Sequence, residues 1–172
     1  MVNAASALRV NAIELLRSPG SLREVAVTVP AEAVGVEDAR VAGEVVVALT
    51  ATSSVDGIVV HGTVSTPWHG QCRRCLRDVD GVAVGEVHEV YQVDPRLEDA
   101  VAIVGDQIDL APVVREYVLL ELPEAPLCRD DCAGICPQCG ADRNESPCDC
   151  DNSVTDLRWS ALEALRLDDP AD

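Results

Sequence analysis

Residues 123–150 read PEAPLCRDDCAGICPQCGADRNESPCDC, and six of the chain's eight cysteines fall here: Cys128, Cys132, Cys136, Cys139, Cys148 and Cys150. The other two, Cys72 and Cys75, form a separate pair in GQCRRCL. CxxC pairs followed by a dense downstream cluster have the spacing of metal ligands. A CxxC turn aims two thiolates at one ion while its backbone amides point at the sulfurs. Four such sulfurs at roughly 2.3 Å complete a tetrahedral zinc site.

Eight thiols make two four-thiolate sites, and so two zinc ions, if all are used. The favoured sorting puts Cys136, Cys139, Cys148 and Cys150 in one local site. Cys72 and Cys75 then join Cys128 and Cys132 in a long-range one. The rival sorting unites the two CxxC turns, 72/75 with 136/139, as a zinc ribbon and leaves 128/132 with 148/150. A closed four-thiolate site leaves no position for water or substrate and is structural. A thioredoxin-like dithiol lacks its βαβ context here. Iron–sulfur ligation stays open, since thiolate spacing alone does not choose the metal.

Upstream of the cluster the chain alternates with the period of strands. Val25, Val27 and Val29 share one face of a strand over 21–29, which Pro30 closes. Further strands are expected over 39–51, 56–66 and 82–93. In the last, Val82, Val84, Glu86 and His88 face one way and Ala83, Gly85, Val87, Glu89 and Tyr91 the other. Asp56-Gly57 signals a hairpin, with Ser53, Ser54 and Val55 lengthening its loop beyond two residues. Cys72 and Cys75 fall in a turn at a strand end. Residues 8–17 read as a short strand or turn and then a helical turn capped by Asn11, and 101–104 as a short strand. The best helix spans 109–122, with Asp109 as N-cap, Pro112 in its first turn and an apolar stripe of Leu110, Val113, Val114, Tyr117 and Val118. A second helix is expected over 156–167, burying Trp159, Leu162 and Leu165.

The fold class expected is α+β: an antiparallel β-rich body, two helices in the C-terminal half and a cysteine-rich zinc-binding segment. Its division is 1–122, the body with its packing helix, and 123–172, the cysteine-rich segment with the terminal helix, the two forming one integrated unit.

The 172 residues carry a formal net charge of −17, which repels phosphate and disfavours tight nucleic-acid binding. A basic protein partner fits better. Arg73, Arg74 and Arg77 flank the first CxxC as the one basic cluster; they either contact RNA or pair with acids such as Asp78 or Asp80. The N-terminal residues lack the apolar run of a signal peptide, and no stretch is apolar enough to span a membrane. Eight cysteines in a chain without export point to metal rather than disulfides. His61, His69 and His88 are read as packed or surface residues, and Trp68 as packing on the first CxxC turn. No nucleophile, phosphate-loop or HExxH motif is present, so no enzyme is expected.

Four motifs in order carry a resemblance: QCRRCL at 71–76, DQIDLAPVVREYVLLELP at 106–123, PLCRDDCAGICPQCG at 126–140 and RWSAL at 158–162. With them the chain resembles the YceD family, the large ribosomal RNA subunit accumulation proteins, and LLRSPGSLREVAV resembles its actinobacterial branch. The resemblance implies a cytoplasmic bacterial protein that supports accumulation of large-subunit ribosomal RNA and ribosome assembly. The partner implied is a large-subunit precursor or a basic ribosomal protein, since the family's gene commonly neighbours that of a small zinc-ribbon ribosomal protein. It also implies that 72/75 with 128/132 is the common site and 136/139/148/150 an added module. It implies no catalytic residues.

Overall fold

In the computed structural model, residues 4–41, 43–151 and 158 are described. The chain opens with a single helical turn, α1 (Ala4–Ala7), a short strand β1 (Arg9–Asn11) and a second turn, α2 (Ala12–Leu16). Asn11 caps α2, its Oδ1 accepting the Glu14 N–H at 3.1 Å. Strand β2 (Leu22–Pro30) follows, then a 3-10 turn at Ala31–Val34.

Three long strands build the body: β3 (Glu44–Ser54), β4 (Gly57–Gln71) and β5 (Asp78–Gln92). Two short strands, β6 (Val101–Ala102) and β7 (Gln107–Asp109), lead into helix α3 (Ala111–Glu121). The main sheet has the order β2-β3-β4-β5-β6, antiparallel except for the two-residue parallel pair β5–β6, and β1 pairs with β7 in a small second sheet. The class is α+β, as expected. The expected helix over 156–167, with Trp159, Leu162 and Leu165, lies outside the described residues.

Alternation sends one face of the sheet inward. Val25 and Val29, Val45, Val47 and Leu49, Ile58, Val60 and Val64, and Val87 and Tyr91 are buried against Val113, Val114 and Val118 of α3. The opposite residues, Val82, Val84, Glu86 and His88 among them, are exposed. The free edge of β5 is partly closed by Tyr117: its hydroxyl accepts the His88 N–H at 3.5 Å and donates to Glu89 Oε1 at 3.0 Å. This blunts an edge that would otherwise offer unpaired backbone groups.

Four sequence expectations need correction. The β3–β4 loop is two residues, Val55 and Asp56, because Ser54 pairs with Gly57. Gly57 makes the tight reversal possible, at φ +145°, where a Cβ would lie 2.2 Å from the Tyr91 carbonyl oxygen. Strand β3 begins at Glu44 rather than 39. Residues 38–40 are held out of the sheet by Asp38, whose carboxylate takes the Arg40 guanidinium through Nε at 2.9 Å and Nη2 at 2.8 Å. The hairpin β4–β5 runs to Gln71 and Asp78, well past the expected ends at 66 and 82. Leu110, not Asp109, is the N-cap residue of α3, although the Asp109 carboxylate does accept the Ala111 N–H at 3.0 Å.

The last strand pairs carry the functional region. The hairpin tip, residues 72–77, projects beyond the core. Helix α3 packs so closely on β5 that a Cβ on Gly85 would meet Tyr117 Cβ at 3.2 Å. The chain leaving α3 is caught at once: the Pro123 carbonyl accepts Arg40 Nη1 at 2.7 Å and the Pro126 carbonyl accepts the Arg73 N–H at 2.9 Å. The cysteine segment is thereby laid against the hairpin tip.

Candidate metal centres

Each CxxC forms the same backbone loop. In the first, the Leu76 N–H donates to the Cys72 carbonyl at 2.9 Å and the Cys72 N–H to the Arg77 carbonyl at 2.8 Å. In the second, the Gly140 N–H donates to the Cys136 carbonyl at 2.9 Å and the Cys136 N–H to the Ala141 carbonyl at 2.8 Å. Closing the turn this way leaves the following amides pointing at the first sulfur of each pair.

The thiols gather into two groups that could hold metal ions, Cys72 with Cys75, Cys128 and Cys132, and Cys136 with Cys139, Cys148 and Cys150; within each group all sulfurs lie within 4.8 Å of one another. This is the favoured sorting, not the zinc-ribbon one. In the first group Cys72 Sγ and Cys132 Sγ are 3.8 Å apart, and Cys75 Sγ and Cys128 Sγ are 3.5 Å apart. Sulfurs held about 2.3 Å from one tetrahedral ion stand about 3.8 Å from each other. The donor set therefore fits a four-coordinate ion in size, softness and number.

The two groups differ in shelter. Cys72, Cys75 and Cys132 are buried together with Val79 and Leu127 against them, and only Cys128 is exposed. In the second group Cys136 is buried, Cys139 exposed, and Cys148 and Cys150 half-buried.

The thiol acidities are split by their surroundings. Burial raises Cys72, but backbone N–H groups of Cys128, Cys75 and Arg74 outweigh it and bring the thiol down to about 6. Cys136 is likewise lowered to about 6 by the Cys139 and Gln138 backbone N–H groups. Although the Cys128 residue is exposed, its thiol is pushed up to about 12 by desolvation and by the sulfurs of Cys75, Cys132 and Cys72. Cys150 is pushed up to about 12 by the Cys139 and Cys136 sulfurs. A cation is what lets four such groups ionise side by side.

Around the sulfurs, Trp68 lies over Gly81, where a Cβ would sit 2.8 Å from the indole ring, and beside Gly70 next to Pro126. His69 is exposed and turned to Asp80, its Nδ1 2.7 Å from the carboxylate; that hydrogen bond raises its pKa. It is no member of either thiol group.

Arg73, Arg74 and Arg77 are all exposed but differ in their partners. Arg74 Nη1 donates to the Cys132 carbonyl at 2.9 Å. Arg77 Nη2 donates to Asp142 Oδ2 at 2.7 Å and Glu145 Oε1 at 2.6 Å, rather than to Asp78 or Asp80. Arg73 keeps its side chain exposed. The sequence reading missed Asp142 and Asn144. The spelling D-x-N in ADRNESP was the available signal, because such residues fold a loop onto its own amides: Asp142 Oδ1 accepts the Asn144 N–H at 2.8 Å.

The model of the family described as large ribosomal RNA subunit accumulation protein YceD matches residues 60–166, more than half of the chain and a span within which all eight cysteines fall. An uncharacterized protein of Mycobacterium tuberculosis is 34% identical over 170 residues, covering 93% of this chain and 82% of its own. An uncharacterized protein of Mycobacterium bovis matches to the same extent. The chloroplastic large ribosomal RNA subunit accumulation protein YCED homolog 1 of Arabidopsis thaliana is 35% identical over 60 residues, 35% of this chain and 19% of its own. No solved structure gives a significant match. On this match over more than half of its length, the chain belongs to the YceD family of large ribosomal RNA subunit accumulation proteins.

Proposed function

We propose that this chain is a non-enzymatic factor, braced by two structural zinc ions, that supports large-subunit ribosomal RNA accumulation and ribosome assembly in the bacterial cytoplasm through protein contacts. Cys72, Cys75, Cys128 and Cys132 hold one ion; Cys136, Cys139, Cys148 and Cys150 hold the other. The partner is a large-subunit precursor or a basic ribosomal protein, with no small-molecule substrate and no membrane.

The observation that carries this reading is the gathering of each set of four thiols within 4.8 Å of one another. Four sulfurs fill a tetrahedral ion, so neither site offers a position for water or substrate. The net charge of −17 favours a basic partner over a phosphate backbone. Arg74 and Arg77, two of the three residues an RNA-binding loop would use, are engaged on internal acceptors. Residues 1–122 and 123–172 act as one unit, supported by the Arg40–Pro123 and Arg73–Pro126 bonds across the boundary. Among the described residues no helix is long and apolar enough to cross a membrane.

The test is affinity capture of the tagged chain from a bacterial lysate, with and without nuclease. Large-subunit ribosomal proteins that stay bound after nuclease treatment are the expected result. Loss of all retention with nuclease, together with a steep fall in binding with salt and its abolition in Arg73→Ala/Arg74→Ala/Arg77→Ala, would replace protein contacts with direct RNA binding.

A further inference from the structure

Asn144 lies in the loop between Cys139 and Cys148, so its backbone belongs to the second thiol group. Its side chain serves the first. Asn144 Nδ2 donates to Cys132 Sγ at 3.4 Å, and Oδ1 accepts the Ala133 N–H at 2.8 Å and Arg129 Nη2 at 2.9 Å. Asp142 Oδ1 orients the amide, accepting Nδ2 at 2.7 Å. Asp142 is in turn held by Arg77, two residues beyond Cys75. Two backbone bonds run alongside, Ile135 N–H to the Arg74 carbonyl at 3.0 Å and Arg143 N–H to the Gly134 carbonyl at 2.9 Å.

The loop 141–147 is therefore pinned at its ends by ligands of one group and in its middle by a ligand and a turn of the other. Ordering such a loop costs conformational entropy. An ion in either group orders the loop for both. The Asn144 side-chain N–H also draws charge from the Cys132 thiolate, and outer-shell donors of this kind set ligand orientation and metal affinity.

We infer that the two metal sites load and empty as a coupled pair, with Asn144 as the positioning residue that carries the coupling. The inference rests on the zinc reading above. Coupling is reciprocal, so metal in the exposed second site tightens the buried first site by the same factor as the reverse. The cysteine module then switches over a narrow range of zinc concentration between a two-ion and an empty form.

The test is a zinc titration of the metal-free full chain by native mass spectrometry, which counts chains with zero, one and two ions, paired with a cobalt titration read by thiolate charge-transfer absorbance. In the unaltered chain the one-ion species stays scarce. In Asn144→Ala, with every thiol intact, the one-ion species accumulates and metal affinity falls about 10–100-fold. Asn144→Asp keeps an acceptor for Ala133 but loses the donor to Cys132, and gives the same loss. Cys150→Ser touches no contact of the first group, and its remaining site should bind at least about tenfold more weakly than the coupled pair does. An unchanged titration in Asn144→Ala, or a first site as tight in Cys150→Ser as in the unaltered chain, overturns the coupling while zinc binding stands. Loss of hydrogen-exchange protection across β3 and β4 in Asn144→Ala would also overturn it, because a coupling residue outside the core leaves the sheet intact. Failure of the unaltered chain to take up zinc or cobalt overturns the zinc reading instead.

Discussion

Leu76 and Gly140 hold equivalent places in the two CxxC loops, at φ +61° and +74°, each donating its N–H to the carbonyl of the loop's first cysteine at 2.9 Å. Left-handed backbone costs a non-glycine residue roughly 1–2 kcal/mol. The second loop avoids that cost with glycine; the first carries it with a leucine whose side chain is more than half exposed.

Substitution at the two positions should therefore have opposite signs. A Cβ on Gly140 meets nothing within 4 Å, so Gly140→Ala acts through backbone strain alone. It is expected to weaken metal binding in the second group about tenfold, the equivalent of about 1.4 kcal/mol. Leu76→Gly should leave affinity in the first group unchanged or slightly tighter. Competition against a chromophoric chelator measures both; a loss in Leu76→Gly as large as in Gly140→Ala would contradict the equivalence of the loops.

Removing metal should unfold the cysteine module and spare the sheet. Among the described residues, the apolar cover of the first group is Val79 and Leu127, whereas the main core is built without any thiol. Structural zinc contributes roughly 10–16 kcal/mol of apparent binding energy in small peptide sites, more than that cover could supply. Chelation is expected to bring fast hydrogen exchange to residues 72–77 and 127–150 while β3 and β4 stay protected. Collapse of the sheet on chelation would show that the ions hold the body as well.

Metal affinity should fall with pH in two stages. Above about pH 6, Cys72 and Cys136 are largely thiolates, while Cys128 and Cys150, both pushed up to about 12, carry protons that the metal must displace. Uptake therefore releases protons, and affinity weakens as pH is lowered. Below about pH 6, Cys72 and Cys136 take up protons too and the fall steepens. Calorimetry in two buffers of different ionisation enthalpy counts the protons, and cobalt absorbance followed from about pH 8 to about pH 5 gives the slope. An affinity flat across that range would mean the thiols are not the ligands.

The Asp38–Arg40 fork gives a separate acid dependence. The Arg40 hydrogen bonds hold Asp38 at about 2, below the ordinary 3.8. A depressed carboxyl adds stability that is fully present above about pH 4 and is lost as pH falls toward about 2. The pair is partly exposed, so its contribution is below about 1 kcal/mol. Asp38→Asn should lower the urea midpoint modestly at about pH 7, and the difference from the unaltered chain should vanish near about pH 2. Arg40→Lys should do the same at neutral pH, since lysine cannot hold both Asp38 oxygens and the Pro123 carbonyl.

Much of the fold was legible because its signals are local. The alternation of Val25, Val27 and Val29, and of Ala83 through Tyr91, named the inward faces of β2 and β5. Asn11 marked its cap, and the stripe from Val113 to Val118 marked α3. Where the reading slipped, a distant residue had intervened. The Arg40–Asp38 fork shortened β3, and close approach of the Tyr91 carbonyl fixed the turn at Gly57.

The sequence by itself determined that each CxxC would close a turn around its first sulfur, since a few bonds and a handful of dihedrals settle that geometry. It left open which pairs meet. Only the tertiary structure brought Cys72 within 3.8 Å of Cys132, sixty residues on. That meeting depends on the length of the β4–β5 hairpin, on α3 packing along it, and on Arg40 and Arg73 catching the chain at Pro123 and Pro126. The same is true of Arg77, whose acidic partners came from the second loop and not from its neighbours in the chain. Spacing along a chain constrains residues a turn apart; which residues meet across the fold is set by the summed geometry of everything between them.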